Sequence, residues 1–237
     1  LCSEITLPTG IDKDGRDRTA VCCLSSLNLE KYDEWKDDPD MIGDVMRFLD
    51  NVLSDFINKA PEQFKDAKYS AERERSVGLG VMGFHSFLQQ KRIPLESVMA
   101  KSWNKKIFKN IHEKVNQASK DLAEERGACP DAAEYGFKER FSNKTAIAPT
   151  ASISIICGGA SPGVEPIAAN SYTHKTLSGS FNVRNRYLEE ILESHGKNDD
   201  ETWSTITTNQ GSVSHLDFLT ELEKDVFKTA FELNQKW

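Results

Sequence analysis

An α/β architecture is predicted by three observations on the 237 residues. Short apolar, strand-like runs alternate with stretches of helical periodicity, hairpin signals are few, and no repeat or low-complexity tract interrupts them. The length is enough to bury a real core. Hydrophobic residues make up 38% of the chain, below average but too many and too periodic for disorder. Lys and Arg number 30 against 37 Asp and Glu, a net charge of -7. With no basic stripe, a nucleic-acid polymer is excluded as the natural partner. No apolar run approaches the roughly 18–20 residues of a membrane span. LCSEITLPTG at the start lacks the basic and apolar regions of a signal peptide. A soluble, cytoplasmic protein is therefore expected.

Taken in order, residues 1–29 read as irregular or extended, with a polar loop over 9–19. TAVCCLSSLNL (19–29) reads as a buried strand running into a turn. From residue 41 the spacing turns helical, with Met41, Val45, Phe48, Leu49, Val52 and Phe56 on one face and Asp40 as N-cap. A second helix is predicted through VGLGVMGFHSFLQQ (77–90), its glycines permitting close packing. The third is the clearest: Ile107, Ile111, Val115, Ala118 and Leu122 share a face, closed by Gly127 and Pro130. TAIAPTASISIICGGASPGVEPI (145–167) is apolar, small and nearly free of charge, the texture of buried strands and tight loops. Helices are predicted at about 183–195 and 217–236. The chain opens at Leu1 and closes on an amphipathic pattern at Trp237 without a stop signal, so an excerpt of a longer protein is expected.

Cysteines stand at 2, 22, 23, 129 and 157. Their spacing matches no zinc pattern, and no metal site is predicted. Cys129 and Cys157 read as inert thiols. Cys2-Ser3-Glu4, if extended, turns a thiol and a carboxylate to the same face, a geometry suited to hydrogen or proton transfer. C-x-E by itself, though, occurs by chance in many proteins. APTASIS (148–154) admits two readings. Thr150, Ser152, Ser154 and their backbone N–H groups cradle a phosphate, or they form a buried strand whose hydroxyls bond neighbouring backbone. The five histidines read as surface or satisfied groups.

LCSEI, AVCCLSSLNL, IAPTASIS, GVEP and TLSGSFNVRNRYL follow one another in this order. Together they resemble the catalytic large subunit of ribonucleotide reductase, over essentially the whole chain and including SVGLGVMGF and ASKDLAEERGACP. The LSGSF-x-V-x-N-x-YL element is closer to class I enzymes than to the cobalamin-dependent class II.

The resemblance implies a ten-stranded α/β barrel with the catalytic cysteine on a central finger loop. Residues 1–237 would be a single partial domain, the C-terminal half of that barrel, lacking the upstream allosteric region and the C-terminal tail. Cys2 matches the transient thiyl radical, Glu4 the base, and Cys22 one of the two reducing cysteines, whose partner lies upstream in the family. Cys23 is left a packing role. Leu1, Pro149, Thr150, Ala151, Ser152, Ile153 and Ser154 match substrate-binding positions, with Pro149 to Ser154 holding phosphates. Where class I members often carry an extra acidic or polar residue, Ala151 and Ile153 stand here, shifting the phosphate load to Thr150, Ser152, Ser154 and the backbone.

No cofactor is implied within this chain. The radical would come from a metal-containing small subunit in class I, or from adenosylcobalamin in class II, and nucleotide effectors would bind outside the segment. Implied partners are the ribonucleotide, the radical-generating subunit, thioredoxin or glutaredoxin as reductant, and a second large subunit in a homodimer. Two other readings stand beside this one: a non-catalytic piece of a split or decayed reductase that binds a companion chain, and a thiol-containing nucleotide-binding module without radical chemistry.

Overall fold

The computed structural model describes residues 4–177, 179–234 and 236–237. In chain order the elements are β1 (Gly10–Ile11), β2 (Asp17–Arg18), β3 (Leu24–Asn28), α1 (Tyr32–Trp35), α2 (Met41–Lys59), α3 (Lys65–Glu74), β4 (Gly78–Met82) and α4 (Phe84–Gln90). They continue with α5 (Val98–Arg126), α6 (Pro130–Glu134), α7 (Ile153–Ile156), β5 (Ser171–Thr176), β6 (Gly179–Arg184), α8 (Arg186–Ser194), α9 (Asp200–Thr208) and α10 (Glu221–Val226). Helices and strands are mixed, as expected. Among the described residues the strands form three separate two-stranded sheets, β1–β2, β3–β4 and β5–β6, and no closed barrel. The chain divides into two compact units, residues 1–81 with 106–150, and residues 82–105 with 151–237.

In the first unit, α5 carries its predicted stripe inward, with Ile107, Ile111, Val115, Ala118 and Leu122 all buried. Gly127, at φ +87°, ends it in the left-handed conformation that glycine adopts without a Cβ penalty, and Pro130 opens α6. Helix α2 forms where expected but buries a face rotated by about one residue. Ile42, Met46, Leu49, Leu53 and Ile57 are inside, while Phe48 and Val52 stay 62% and 42% exposed. The reason lies at Asp50, which is fully buried on that inner face and surrounded by arginines. The helix starts at Met41 with Asp40 at the N-cap, as expected, but the Asp40 side chain makes no capping bond. The Asp38 carboxylate instead accepts from the N–H groups of Asp40 and Met41 at 2.9 and 3.2 Å.

Two further expectations are corrected. The buried strand expected within 19–29 begins only at Leu24, ends at Asn28, and is for the most part half-buried. The single helix expected over 77–90 is strand β4 followed by α4, with Gly83 at φ +79° making the corner between them. Glycine spacing decides this. A methyl group on Gly80 would overlap the carbonyl oxygen of Ala146, and one on Gly78 would overlap the Leu24 and Ala146 side chains. The glycines therefore let the backbones close in as a sheet. Leu79 N–H donates to Lys144 O at 3.0 Å and Ala146 N–H returns to Leu79 O at 3.2 Å, a parallel bridge on the other side of β4 from β3.

The second unit holds a core of Tyr187, Leu188, Leu192, Trp203, Ile206, Val213, Leu216, Leu219, Val226 and Phe227. Helix α8 starts at Asn185, whose side chain caps Tyr187 N–H. The helix expected over 217–236 is only the six residues of α10, opened by a Thr220–Glu223 capping box and followed by turns. The β5–β6 hairpin and α9 were not anticipated. The hairpin pairs Ser171 with Arg184 through to Thr176 with Gly179, and β6 is exposed along almost its whole length. No helix among the described residues is long and apolar enough to cross a membrane.

Candidate active site

Leu1 and Cys2 lie outside the described residues. Glu4 lies just inside them, half-buried, at a cavity of about 360 Å³. The cavity is lined also by Leu79, Gly80 and Val81 of β4, Phe108 and His112 of α5, and Thr145 to Ile147. Cys22 is not among its lining residues.

Cys22 and Cys23 precede β3 directly, and their burial differs as expected for neighbours on extended chain. Cys22 is exposed. Cys23 is half-buried, its sulfur 3.9 Å from Leu49 O of α2, and burial followed by the neighbouring Cys22 pushes its thiol pKa up. A raised pKa keeps a thiol protonated and unreactive. Cys129 is fully buried and likewise shifted upward by burial, whereas Cys157 is exposed.

The segment expected to hold phosphates is not a strand. Pro149 is exposed, and Thr150 is buried at φ +54°, in the left-handed region that a β-branched residue rarely enters. Such a conformation costs on the order of 1–3 kcal/mol and persists only where its surroundings enforce it. Ala151 and Ser152 form an exposed turn, and Ile153–Ile156 is the single helical turn α7. Within it Ile153 is 42% exposed while Ser154 is buried, and the Ser154 carbonyl accepts from Gly159 and Ala160 N–H at 3.0 and 3.1 Å. The buried-strand alternative thus fails over 150–156, and the segment presents Ser152 on its open side.

Glu74 and His85 are buried ionisable groups, and of these Glu74 was not singled out in the sequence. Glu74 is 1% exposed, its carboxylate oxygens have no hydrogen-bond donor, and Arg18 Nη2 stands 3.8 Å away. Burial drives its pKa up to about 7 against the pull of Arg18, which is engaged with Asp131 at 2.6 Å. His85 is a satisfied histidine, one of the two readings given for the five. It is 1% exposed, and its Nδ1 accepts from Ile167 N–H at 3.0 Å. Burial lowers its pKa to about 4, so the ring is neutral at ordinary pH. Among the described residues no three His, Cys, Asp or Glu side chains gather as a metal set.

The family model of the ribonucleotide reductase barrel domain matches residues 1–139 and 131–237. The chain belongs to this family. It is 53% identical, over its full length, to the ribonucleoside-diphosphate reductase large subunit of Invertebrate iridescent virus 6, and 47% identical to that of Invertebrate iridescent virus 3. It covers 24% and 37% of those two proteins. Among solved structures, the class Id ribonucleotide reductase alpha subunit of Actinobacillus ureae superposes over 97% of this chain with a TM-score of 0.86 and 41% identity. The chain covers 41% of that subunit. The reductase resemblance read from five ordered motifs is thereby borne out over the whole sequence, and the chain spans well under half of these relatives.

Proposed function

We propose that this chain supplies the catalytic-barrel residues of a ribonucleoside-diphosphate reductase, replacing the ribose 2′-hydroxyl with hydrogen by radical chemistry. The observation that carries the reading is the match of the reductase barrel family across all 237 residues, and the roles given to Cys2, Glu4 and Cys22 follow from the resemblance of LCSEI and AVCCLSSLNL to that family's motifs. In this reading the chain forms part of a ten-stranded barrel, with Cys2 on its finger loop.

A thiyl radical on Cys2 takes the ribose 3′-hydrogen. The S–H and ribose C–H bonds are close enough in strength for that transfer to reverse at the end of the cycle. Glu4 takes the proton of the 3′-hydroxyl as the 2′-hydroxyl leaves as water. Cys22 and a second cysteine supply two electrons and two hydrogens and become a disulfide. Thioredoxin or glutaredoxin then reduces it. Ser152 and Ser154, with Thr150 and the backbone of 149–154, hold the phosphates. The radical originates on a separate metal-containing subunit, and the large subunit works as a homodimer in the cytoplasm.

The test is Cys2→Ser in the complete large subunit, assayed with its radical-generating partner and a dithiol. Loss of all turnover is expected. Unchanged turnover would remove radical chemistry at Cys2 and leave a nucleotide-binding module.

A further inference from the structure

The corner between β4 and α4 is tied to the loop that follows the phosphate segment by a compact set of hydrogen bonds. Gly83 N–H donates to Ser161 O at 2.7 Å, and Phe84 N–H reaches Gly163 O at 3.4 Å. Ser86 and Ser161 exchange bonds, each backbone N–H donating to the other's hydroxyl at 3.1 and 2.9 Å. Three residues of one helical turn are thus committed to residues 161–163, donors that a helix start leaves without intrahelical acceptors. His85, between them, accepts Ile167 N–H at the far side of the same loop. Ser86, His85 and Ser161 are 4%, 1% and 1% exposed, so water does not compete for these bonds. The loop then doubles back, and Gly159 and Ala160 grip the Ser154 carbonyl.

We infer that His85, Ser86 and Ser161 are positioning residues for phosphate binding, fixing the loop 158–167 so that Ser152 and Ser154 are held in place before the substrate arrives. The inference rests on the phosphate-holding role proposed for residues 149–154. None of the three touches substrate; each acts through the loop. The chemistry suits the task. A neutral, fully buried imidazole accepts one bond in a fixed direction, and the paired serines satisfy each other without a flexible side chain. Small displacements at a binding segment are magnified in catalysis because affinity and alignment depend on donors held within a few tenths of an ångström.

The experiment uses the complete large subunit with its radical-generating partner and a ribonucleoside diphosphate as substrate. Five variants are compared for KM, kcat and thermal midpoint: S152A, S161A, S86A, H85L and H85N. Asn places an amide oxygen where the histidine Nδ1 stands and can accept the Ile167 N–H, whereas Leu cannot. Expected are a KM raised about tenfold in S161A, S86A and H85L with kcat changed less than about threefold, and a KM within about threefold of wild type in H85N. A purely structural role would lower the thermal midpoint in all four without moving KM. That result, with S152A still raising KM, would overturn the positioning role and leave the phosphate reading standing. An unchanged KM in S152A would overturn the phosphate reading, and the positioning role with it. Should H85L fail to fold, S161A and S86A carry the same decision, since each deletes one hydroxyl and keeps the backbone donors.

Discussion

Asp50 and Arg140 form a two-bond ion pair inside the first unit, with Arg140 Nε donating to Oδ1 at 2.9 Å and Nη2 to Oδ2 at 3.2 Å. Arg75 and Arg126 complete the shell around the same carboxylate, at 2.7 and 2.8 Å. Burial alone would raise the Asp50 pKa, but the bonds from Arg140 and Arg126 outweigh it and hold the carboxyl below its usual range. The site joins α2, the end of α3, the end of α5 and the chain after α6, and its role is structural.

Asp50→Asn keeps the shape and removes the charge, leaving three arginines to face one another. A buried pair broken on one side costs about 3–5 kcal/mol. The thermal midpoint should fall by on the order of 10 °C, read by circular dichroism. Removing Asp55, whose partner Lys59 is exposed, should change nothing measurable. Equal effects would refute the special standing of Asp50.

His85 makes stability rise with pH. Its folded pKa of about 4 lies below the unfolded 6.5, so the unfolded chain binds more protons between these values. The contribution is complete above pH 6.5 and drains away as pH falls toward 4, a swing of about 3 kcal/mol. H85N should flatten that part of a urea-unfolding profile. A profile as steep as wild type would show that another group is responsible.

Glu74 acts in the opposite sense. Its folded pKa of about 7 lies above the unfolded 4.5, so stability is full below pH 4.5 and is lost as pH rises through 7. Glu74→Gln should therefore stabilise at pH 8, by up to about 3 kcal/mol, and do little at pH 5. Between pH 4.5 and 6.5 this slope opposes that of His85. A flat wild-type profile there would conceal two steep ones, which the single variants expose separately.

The 237 residues expressed alone should show no reductase turnover, even with dithiol and a radical-generating subunit present. The proposed chemistry needs a second reducing cysteine, which the resemblance places upstream of this segment. Deoxyribonucleotide formation by the isolated chain, followed by chromatography, would contradict this. Activity restored by the remaining large-subunit segments supplied in trans would agree with it.

What the sequence made legible was whatever a local pattern dictates. Helix α5 was readable because its stripe repeats for four turns and Gly127 with Pro130 mark its end. The family was readable because motif order survives without any geometry. Residues 77–90 were misread because apolar residues and glycines carry no period, and strand or helix was settled by Ala146, more than sixty positions away. Asp50 escaped notice because its three arginines come from distant segments, and it turned the buried face of α2 away from Phe48. The β5–β6 hairpin, most of whose described residues are exposed, lacks the alternation that betrays a half-buried strand; its Gly179 was the available cue. At the site, residue types were visible, whereas the left-handed Thr150 and the tether from α4 emerge only in three dimensions.

The absence of side chains at Gly78 and Gly80 also sets a timescale. With those backbones seated against Ala146 and Leu24, water has little room to reach the Leu79 and Ala146 amides without separation of the strands themselves. Their protons should be among the slowest in the first unit to exchange with deuterium, outlasting those of α2's exposed flank. This narrow seam would then act as the unit's clock, slow to open and the reference against which looser motions are timed.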